Sequence, residues 1–351
     1  MTDYIVVGSG LAGIAFCETL QQEGKSFIVY EDSSQHSSTV AGGLYNPIIL
    51  KRFTKVWKAR EQLDVALPFY RQLEEKLEAS FDYKVPVRRR FVSVQEQNKW
   101  FEAADKPGQG EFMSLTVVKN QNPCIDAPYG FGEVLQTGRV ASGKLQAAYR
   151  EHLREQGLLR EETFQIDHME TGANEIQYKD IRARYIVFAD GFGMTSNPWF
   201  LYLPLNGTKG QLLTIKAPTL QLDFVLKSAV FLIPLGHDFY KVGATYEWHD
   251  KTNTITSQAR NELLAKMETF ITCPYEVTAQ EAGIRPTVTD RRPLVGRHPQ
   301  QTRILLLNGM GSRGVMVAPY IARQLYDYIE KGKALCTEIN IKRFEKKHFK
   351  V

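Results

Sequence analysis

Three glycines near the start of the chain, and the acid that follows them, have the spacing of a dinucleotide-binding loop. An apolar strand runs into a turn that contains Gly8, Gly10 and Gly13, and the next apolar strand ends at an acid. Gly8 permits a tight turn, Gly10 lets the backbone approach a pyrophosphate, and Gly13 lets the helix pack closely on the strand. The helix N-terminus offers N–H groups to phosphates, and the Glu31 carboxylate can accept hydrogen bonds from ribose hydroxyls. The sequence therefore predicts a bound dinucleotide.

Helices and strands predicted from apolar periodicity must hold this loop in place. Helices are predicted over about 57–78, 142–155 and 320–329, with Pro319 in the first turn of the last one. Strands are predicted over 91–94, 113–118, 184–191, 211–215, 229–233, 239–246 and 304–307. Only short turns separate the strands between 210 and 246, so we expect them to be antiparallel.

The order of these elements predicts a fold of the α/β plus β class with an interrupted first domain. A Rossmann-type nucleotide-binding domain is expected from residues 1–80, 136–205 and 280–351. A second domain, built on a large antiparallel sheet, is expected from the two inserted segments 81–135 and 206–279. The polar segment and glycines after Glu31 break the regular strand–helix alternation of nicotinamide-dependent dehydrogenases, which argues against that class.

The composition is that of an ordinary soluble protein large enough for two domains. The 351 residues are 43% hydrophobic and 24% charged, and no apolar run approaches the roughly 18 residues of a membrane span. The N-terminus lacks the basic segment and cleavage site of a secretory signal, so a cytoplasmic protein is expected. Neither a disulfide framework nor a metal site is indicated, because the four cysteines lie far apart: Cys17, Cys124, Cys273 and Cys336.

Two basic clusters raise the question of a polyanionic partner. They are the arginine triplet, Arg88, Arg89 and Arg90, and the basic tail segment, residues 342–347. The formal net charge is only +5, so solvated surface charge is the favoured interpretation. Docking of an RNA such as tRNA is the alternative.

These motifs, in this order, resemble the D-amino-acid oxidase superfamily of FAD-dependent amine oxidases over roughly residues 1–330. The segment 281–299, which contains Gly-Ile-Arg-Pro, is similar to a segment of glycine oxidases. Residues 309–314, followed by Ala318 and Pro319, resemble the oxidase domain of the bifunctional enzyme that completes 5-methylaminomethyl-2-thiouridine in tRNA. The resemblance implies FAD as cofactor. Some relatives tether the flavin through a cysteine, and no cysteine is near Arg285, so non-covalent binding is expected.

The resemblance also implies which residues contact FAD. The phosphate loop and ribose acid fall on Gly8, Gly10, Leu11, Ala12, Gly13 and Glu31. The flavin loop falls on Ala41, Gly42, Gly43 and Leu44, and an adenine-side strand residue falls near Ile166. A glycine turn falls on Ala189, Asp190 and Gly191, and the loop at the flavin's pyrimidine end on Gly309, Met310, Gly311, Ser312, Arg313, Gly314 and Val315.

For the substrate, the resemblance points to Arg285 as the group that binds a carboxylate. A guanidinium presents two parallel donors to such a group. Tyr246 matches a pocket-facing position, and Phe231 stands where glycine oxidases have a tyrosine, so one hydroxyl donor is missing. Lys241 matches the lysine that sarcosine oxidases hold above the flavin, although a solvent-facing strand lysine is an equal alternative. His298 is better explained as a structural loop histidine than as a catalytic one.

The resemblance implies oxidation of a C–N bond in a small amino acid or secondary amine. A hydride leaves Cα for flavin N5, and water hydrolyses the resulting imine. One alternative is a stand-alone oxidase that removes a carboxymethyl group from a wobble uridine of tRNA. A flavin-binding protein without turnover is the less favoured alternative, because Arg285 accompanies intact flavin loops. No metal is expected, since the seven histidines show no ligand spacing.

Overall fold

Two eight-stranded sheets organise the chain. The structure is a computed structural model that describes residues 1–349, with the backbone alone at positions 347 and 348. None of the helices in residues 1–349 combines the length and the hydropathy of a membrane-spanning segment.

The first sheet is mostly parallel and carries the glycine-rich loop. Its core contains, in spatial order, Leu159–Arg160, Phe27–Tyr30, Thr2–Val7, Ile181–Phe188 and Ile304–Asn308. Three antiparallel strands complete it: Ile176–Tyr178, Met169–Thr171 and Leu294–Arg297. The core strands are apolar on both faces, as expected for a parallel sheet covered by helices. The long helices of this half are Leu11–Gln22, Ala59–Leu77, Ser142–Glu155 and Gly314–Glu330.

The second sheet is mostly antiparallel and is built from the inserted segments. Its spatial order is Glu276–Arg285, Thr208–Lys216, Phe239–Gly243, Phe231–Gly236, Val225–Lys227, Val87–Arg90, Phe131–Val134 and Met113–Val118. Helices Val94–Ala104 and Ser257–Glu268 accompany it. A three-stranded sheet is formed by Leu44–Tyr45, Gly138–Val140 and Asp82–Tyr83, and a two-stranded sheet by Ile48–Ile49 and Thr54–Lys55. The short helices are Ser37–Val40, Ile166–His168, Gly191–Ser196, Ile341–Phe344 and Glu345–His348.

Most predicted elements are present, and the fold class is confirmed. The helix predicted over 142–155 is observed as Ser142–Glu155, and the expected antiparallel pairing between 210 and 246 is present. Strand Glu276–Arg285 pairs along its length with Thr208–Lys216, so the domain boundary predicted between 279 and 280 falls inside a strand of the second sheet.

The strand predicted over 91–94 is wrong, because a helix begins there. The strand ends at Arg90, and Ser93 caps the helix Val94–Ala104 by accepting a 3.2 Å hydrogen bond from the N–H of Glu96. The Glu96 carboxylate in turn accepts a 2.9 Å hydrogen bond from the N–H of Val92. This reciprocal arrangement is close to a capping box, and its Ser-x-x-Glu pattern is visible in the sequence.

Pro319 lies in the second turn of helix Gly314–Glu330 rather than in the predicted first turn. Its missing N–H leaves the Val315 carbonyl, four residues earlier, without its helical donor. The buried Tyr70 hydroxyl donates a 2.8 Å hydrogen bond to that oxygen. A tyrosine from another helix therefore supplies the hydrogen bond that proline cannot, and the helix extends back to Gly314.

Candidate active site

A large cavity of about 1610 Å³ is bordered by the glycine-rich loop, the second sheet and the start of helix Gly314–Glu330. Drug-sized ligands usually occupy about 300–1,000 Å³, so this cavity has room for a dinucleotide together with a small substrate. Most predicted cofactor residues line it; the two that do not are Gly13 and Gly309.

The first loop has the geometry expected of a phosphate-binding turn. Gly8 has a φ of +99°, and a Cβ on Gly13 would lie only 1.9 Å from the Gly8 carbonyl oxygen. Gly10 is the N-cap residue of helix Leu11–Gln22 and offers no side-chain cap, and the first turn contains no acid; the Leu11 N–H donates a 3.2 Å hydrogen bond to the Ser38 hydroxyl. Gly10 itself borders the cavity. The loop therefore directs a helix N-terminus, with its partial positive charge, into the cavity.

The predicted ribose acid, Glu31, borders the cavity and also holds the loop in place. Its Oε2 accepts hydrogen bonds from the Ser9 N–H at 2.6 Å and the Ser9 hydroxyl at 2.8 Å. Its Oε1 accepts from the Ser33 N–H at 2.7 Å, and Arg150 lies 3.2 Å from Oε2. A carboxylate oxygen can accept two hydrogen bonds, so Oε1 retains an acceptor position. Sequence reasoning missed Ser9 and Arg150, which interact with Glu31 only in the tertiary structure.

The two later glycine turns are joined by Asp190 and Asn308. The Asn308 amide donates to Asp190 Oδ1 at 3.0 Å and to the Gly191 carbonyl at 2.9 Å, while its own oxygen accepts from the Gly309 N–H at 2.7 Å. Burial raises the pKa of Asp190 to about 7, although the residue borders the cavity. Ile166, predicted near an adenine-side strand, borders the cavity from the short helix Ile166–His168 instead.

The flavin loop predicted at 41–44 also borders the cavity. Gly43 has a φ of +71°, and a Cβ there would lie 1.8 Å from the Val140 carbonyl oxygen, so only glycine fits. Lys241 supports the preceding residue: its ammonium donates a 3.0 Å hydrogen bond to the Val40 carbonyl and forms a 3.0 Å ion pair with Glu281. Lys241 does not line the cavity, so its predicted place above the flavin stays a prediction.

Arg285, the predicted carboxylate-binding residue, borders the cavity and has no acid partner among residues 1–349. Its guanidinium donates to the Thr245 carbonyl at 3.3 Å and lies 4.6 Å from the centre of the Tyr246 ring. Desolvation lowers the pKa of Arg285. The guanidinium lies directly over Gly210 of the neighbouring strand, where a Cβ would meet it at 2.1 Å. Arg285, Tyr246 and Phe231 all border the cavity.

Arg313 is a second guanidinium at the cavity wall. It is the N-cap residue of helix Gly314–Glu330, and desolvation lowers its pKa. Within the described chain its side chain forms no hydrogen bond or ion pair. Arg313 and Arg285 both lie close enough to Tyr246 to interact with it electrostatically.

The positive charges of the arginine triplet are balanced by ion pairs within the protein. Each member pairs with a different acid at 2.6–2.7 Å: Arg88 with Glu133, Arg89 with Glu96, and Arg90 with Asp126. In the basic tail segment, Arg343 pairs with Asp290 at 2.8 Å, whereas the side chain of Lys347 lies outside the described residues.

His298 and the acidic and thiol groups give no sign of a metal site in the described part of the chain. His298 is buried among aromatic rings, and its Nδ1 accepts from the N–H groups of Gln300 and Gln301 at 3.3 and 3.1 Å. Residues 1–349 contain no cluster of three or more His, Cys, Asp or Glu side chains that could hold a metal ion.

Comparison with known proteins agrees with this geometry. Residues 3–328 match the DAO family, described as FAD dependent oxidoreductase. Glycine oxidase of Bacillus subtilis (strain 168) is 22% identical over 93% of this chain and 92% of its own length. The tRNA 5-methylaminomethyl-2-thiouridine biosynthesis bifunctional protein MnmC of Marinobacter nauticus is 21% identical over 93% of this chain, which spans 55% of that protein.

Solved structures show the same fold at low identity. Glycine oxidase from Bacillus cereus superposes with a TM-score of 0.79 at 19% identity, covering 95% of this chain and 96% of that one. L-proline dehydrogenase from P. horikoshii superposes with a TM-score of 0.80 at 15% identity, covering 99% of both chains. The match to the family over nearly the whole chain confirms the resemblance inferred from the motifs, and the protein belongs to the DAO family of FAD-dependent oxidoreductases.

Proposed function

We propose that this protein binds FAD non-covalently and oxidises the C–N bond of a small amino acid or secondary amine that carries a carboxylate. The observation that carries the proposal is the Arg285 guanidinium, which has no acid partner in the described chain and shares one cavity with the dinucleotide loops. A partly desolvated guanidinium without a counter-ion is stabilised when a carboxylate binds it.

The residues present fit FAD. Gly10 leaves space for a pyrophosphate at the start of helix Leu11–Gln22, and Oε1 of Glu31 can still accept a hydrogen bond from a ribose hydroxyl. The uncapped start of helix Gly314–Glu330 borders the same cavity, where its N–H groups would favour negative charge on a bound ring. When bound, FAD supplies the two-electron acceptor that amino-acid side chains lack.

The protein's own residues would bind and orient the substrate. Arg285 would bind the carboxylate, and Gly210 beneath it fixes the height of the guanidinium. Phe231 would present an apolar surface to the reacting carbon and help to exclude water. The amine must bind in its neutral form, and the imine product is hydrolysed by water.

Lys241 and Tyr246 have supporting places in this scheme. Because the Lys241 ammonium joins the Val40 carbonyl to Glu281, we propose that it positions the neighbouring flavin loop. Tyr246 is 58% exposed and stacks beside Arg285, so it would form the outer wall of the carboxylate site.

A stand-alone tRNA-modifying oxidase is the second candidate. It is favoured by the similarity to MnmC over 93% of this chain. Because the arginine triplet pairs with Glu133, Glu96 and Asp126, it offers little uncompensated charge to an RNA backbone, so this candidate ranks below the small-molecule oxidase.

Anaerobic bleaching of the flavin separates these candidates. The purified protein would be mixed, without oxygen, with glycine, sarcosine, D-amino acids and unmodified or carboxymethylaminomethyl-modified tRNA, and absorbance followed near 450 nm. Bleaching by a free carboxylate-bearing amine supports the proposal. Bleaching by the modified tRNA alone supports the RNA-modifying candidate, and a flavin that no substrate reduces supports binding without turnover.

A further inference from the structure

A second group of cations borders the cavity away from Arg285, on a strand, a turn and a helix. Lys227 lies at the end of strand Val225–Lys227, opposite Phe231 on one side and Arg89 on the other. Lys51, Arg52 and Lys266 border the same cavity. The function proposed above uses none of these residues.

Lys227 is a poorly solvated cation without an acid partner in the described chain. Its ammonium lies 4.7 Å from the centre of the Phe231 ring and makes only a long, 3.4 Å hydrogen bond to the Ala229 carbonyl. The charges that act on it, those of Arg89, Lys266 and Lys51, are all positive. Desolvation, with a smaller effect from these cations, lowers the pKa of Lys227 to about 8. Lys227 is half-buried, and partial burial of a lysine without an acid partner disfavours its charge.

The neighbouring cations differ in how far they are already neutralised. Arg89 pairs with Glu96 at 2.6 Å, and Lys266 pairs with Glu262. Lys51 and Arg52 are exposed and have no ion-pair partner among residues 1–349. Charge is therefore available at Lys227, inside the cavity, and at Lys51 and Arg52, towards solvent.

The sheet geometry sets the distance between the two cationic sites. The Arg285 guanidinium lies over Gly210, and the strand of Gly210 is separated from that of Lys227 by the two strands Phe239–Gly243 and Phe231–Gly236. Strands lie about 4.8 Å apart, and the strand register places Gly210 two residues along from the row that contains Lys227. After allowing for the length of the lysine side chain, the two cations are about 10–15 Å apart. Phe231, between them, would contact an apolar linker.

We propose that the cavity binds an elongated amine with two anionic groups, a carboxylate at Arg285 and a second carboxylate or phosphate at Lys227. Lys51 and Arg52, nearer to solvent, would draw the second group towards the cavity. This inference rests on the proposed function, since it assumes that Arg285 binds the first carboxylate. It adds that the substrate is longer than glycine or sarcosine and is anionic at both ends.

The test is a binding measurement on the FAD-loaded protein, independent of turnover. Straight-chain dicarboxylates of 4 to 12 carbons and monocarboxylates of equal length would be titrated against the flavin spectrum or by calorimetry. At the length that spans both cations, we expect the dicarboxylate to bind about 10- to 100-fold more tightly than the monocarboxylate. This factor corresponds to one additional charge-assisted hydrogen bond. Equal affinity for both series at every length would overturn the proposal.

Variants assign this preference to a residue. Lys227→Met should reduce the ratio of monocarboxylate to dicarboxylate Kd to about 1, whereas Lys227→Arg should retain part of it. Lys216→Met is the matched control, because Lys216 lies on the same sheet, 5.8 Å from the Phe239 ring, and outside the cavity. If Lys216→Met lowers the ratio as much as Lys227→Met does, the proposal fails.

Two further comparisons complete the test: the first identifies the source of the second anion, and the second distinguishes failure of this inference from failure of the proposed function. The affinity for carboxymethylaminomethyl-uridine would be compared with that for its 5′-monophosphate. Tighter binding of the monophosphate, lost in Lys227→Met, identifies the second anion as the phosphate of a nucleotide. Tighter binding of dicarboxylates alone identifies it as the carboxylate of a free acid. Monocarboxylates that bind and are weakened by Arg285→Lys, with no gain for dianions, would contradict the second subsite alone. Failure of all carboxylates to bind would contradict the proposed function as well.

Discussion

Replacing Gly210 with alanine should disturb Arg285 without disturbing the fold. An added Cβ would lie 2.1 Å from Nη2, 2.3 Å from Cζ and 2.4 Å from Nη1 of Arg285, whereas ordinary contacts begin at 3.4 Å. The guanidinium must therefore move by about 1 Å or more. The obstacle is the far end of a flexible side chain, so the strand pairing on either side of Gly210 should persist.

The magnitude follows from the contact that is lost. A shift of this size breaks the paired geometry between a guanidinium and a carboxylate and removes at least one charge-assisted hydrogen bond, about 1.5–3 kcal/mol. We expect the Kd for a simple carboxylate, and kcat/KM for the carboxylate-bearing substrate, to worsen by about 10- to 150-fold. The FAD content should stay unchanged, because Gly210 lies beneath the predicted substrate site.

Carboxylate titrations monitored by the flavin spectrum measure this effect directly. Gly193→Ala is the matched control: Gly193 also borders the cavity, but its added Cβ would make only ordinary contacts, with Gln35 at 3.5 Å and Asp190 at 3.6 Å. A double variant, Gly210→Ala with Arg285→Lys, should be little worse than the more damaging single variant, because both changes act on one contact. A Gly210→Ala protein that binds carboxylates as tightly as the wild type would refute the assignment of Arg285 to the carboxylate.

Four other outcomes are expected. The purified protein should be yellow, and acid precipitation should release FAD into the supernatant; flavin retained in the pellet would contradict non-covalent binding. Arg285→Lys should lower kcat/KM for a carboxylate substrate by about 10- to 1000-fold with FAD occupancy unchanged, since the charge stays but the paired donors are lost. Asp190, with its pKa raised to about 7, binds its proton more tightly when folded, so its contribution to stability falls as pH rises from about 4 through 7. Denaturant unfolding should therefore show that the free energy of unfolding of Asp190→Asn, relative to that of the wild type, rises by about 2–3 kcal/mol between pH 5 and pH 8. A difference between the two proteins that does not change with pH would contradict this. Finally, filter assays should show weak, non-saturating tRNA binding at physiological salt, whereas tight binding lost on mutating the arginine triplet would promote the RNA-modifying candidate.

The sequence by itself determined the glycine-rich loop and the nucleotide-binding domain around it. Gly8 has a positive φ, Gly13 packs against the Gly8 carbonyl, and Glu31 follows at the end of the adjacent strand, so the whole motif is local in sequence. Helix Ser142–Glu155 was predicted correctly for the same reason, since its apolar periodicity and its ends are local signals. The interrupted order of the segments was sufficient to indicate the family.

Only the tertiary structure decided which charged groups are free to act. The three arginines at 88–90 form one basic cluster in the sequence, yet each pairs with an acid. Glu133 and Asp126 reach Arg88 and Arg90 from other segments of the chain, whereas Glu96 reaches Arg89 from the helix that follows. Lys227 belongs to no motif, but strand pairing places it in the cavity beside Phe231 without an acid partner in the described chain. Gly210 is important only because the Arg285 side chain crosses it from the neighbouring strand. Whether a charge is neutralised, and whether a glycine leaves space that is used, depends on partners distant in sequence, and these partners meet only when the sheets form.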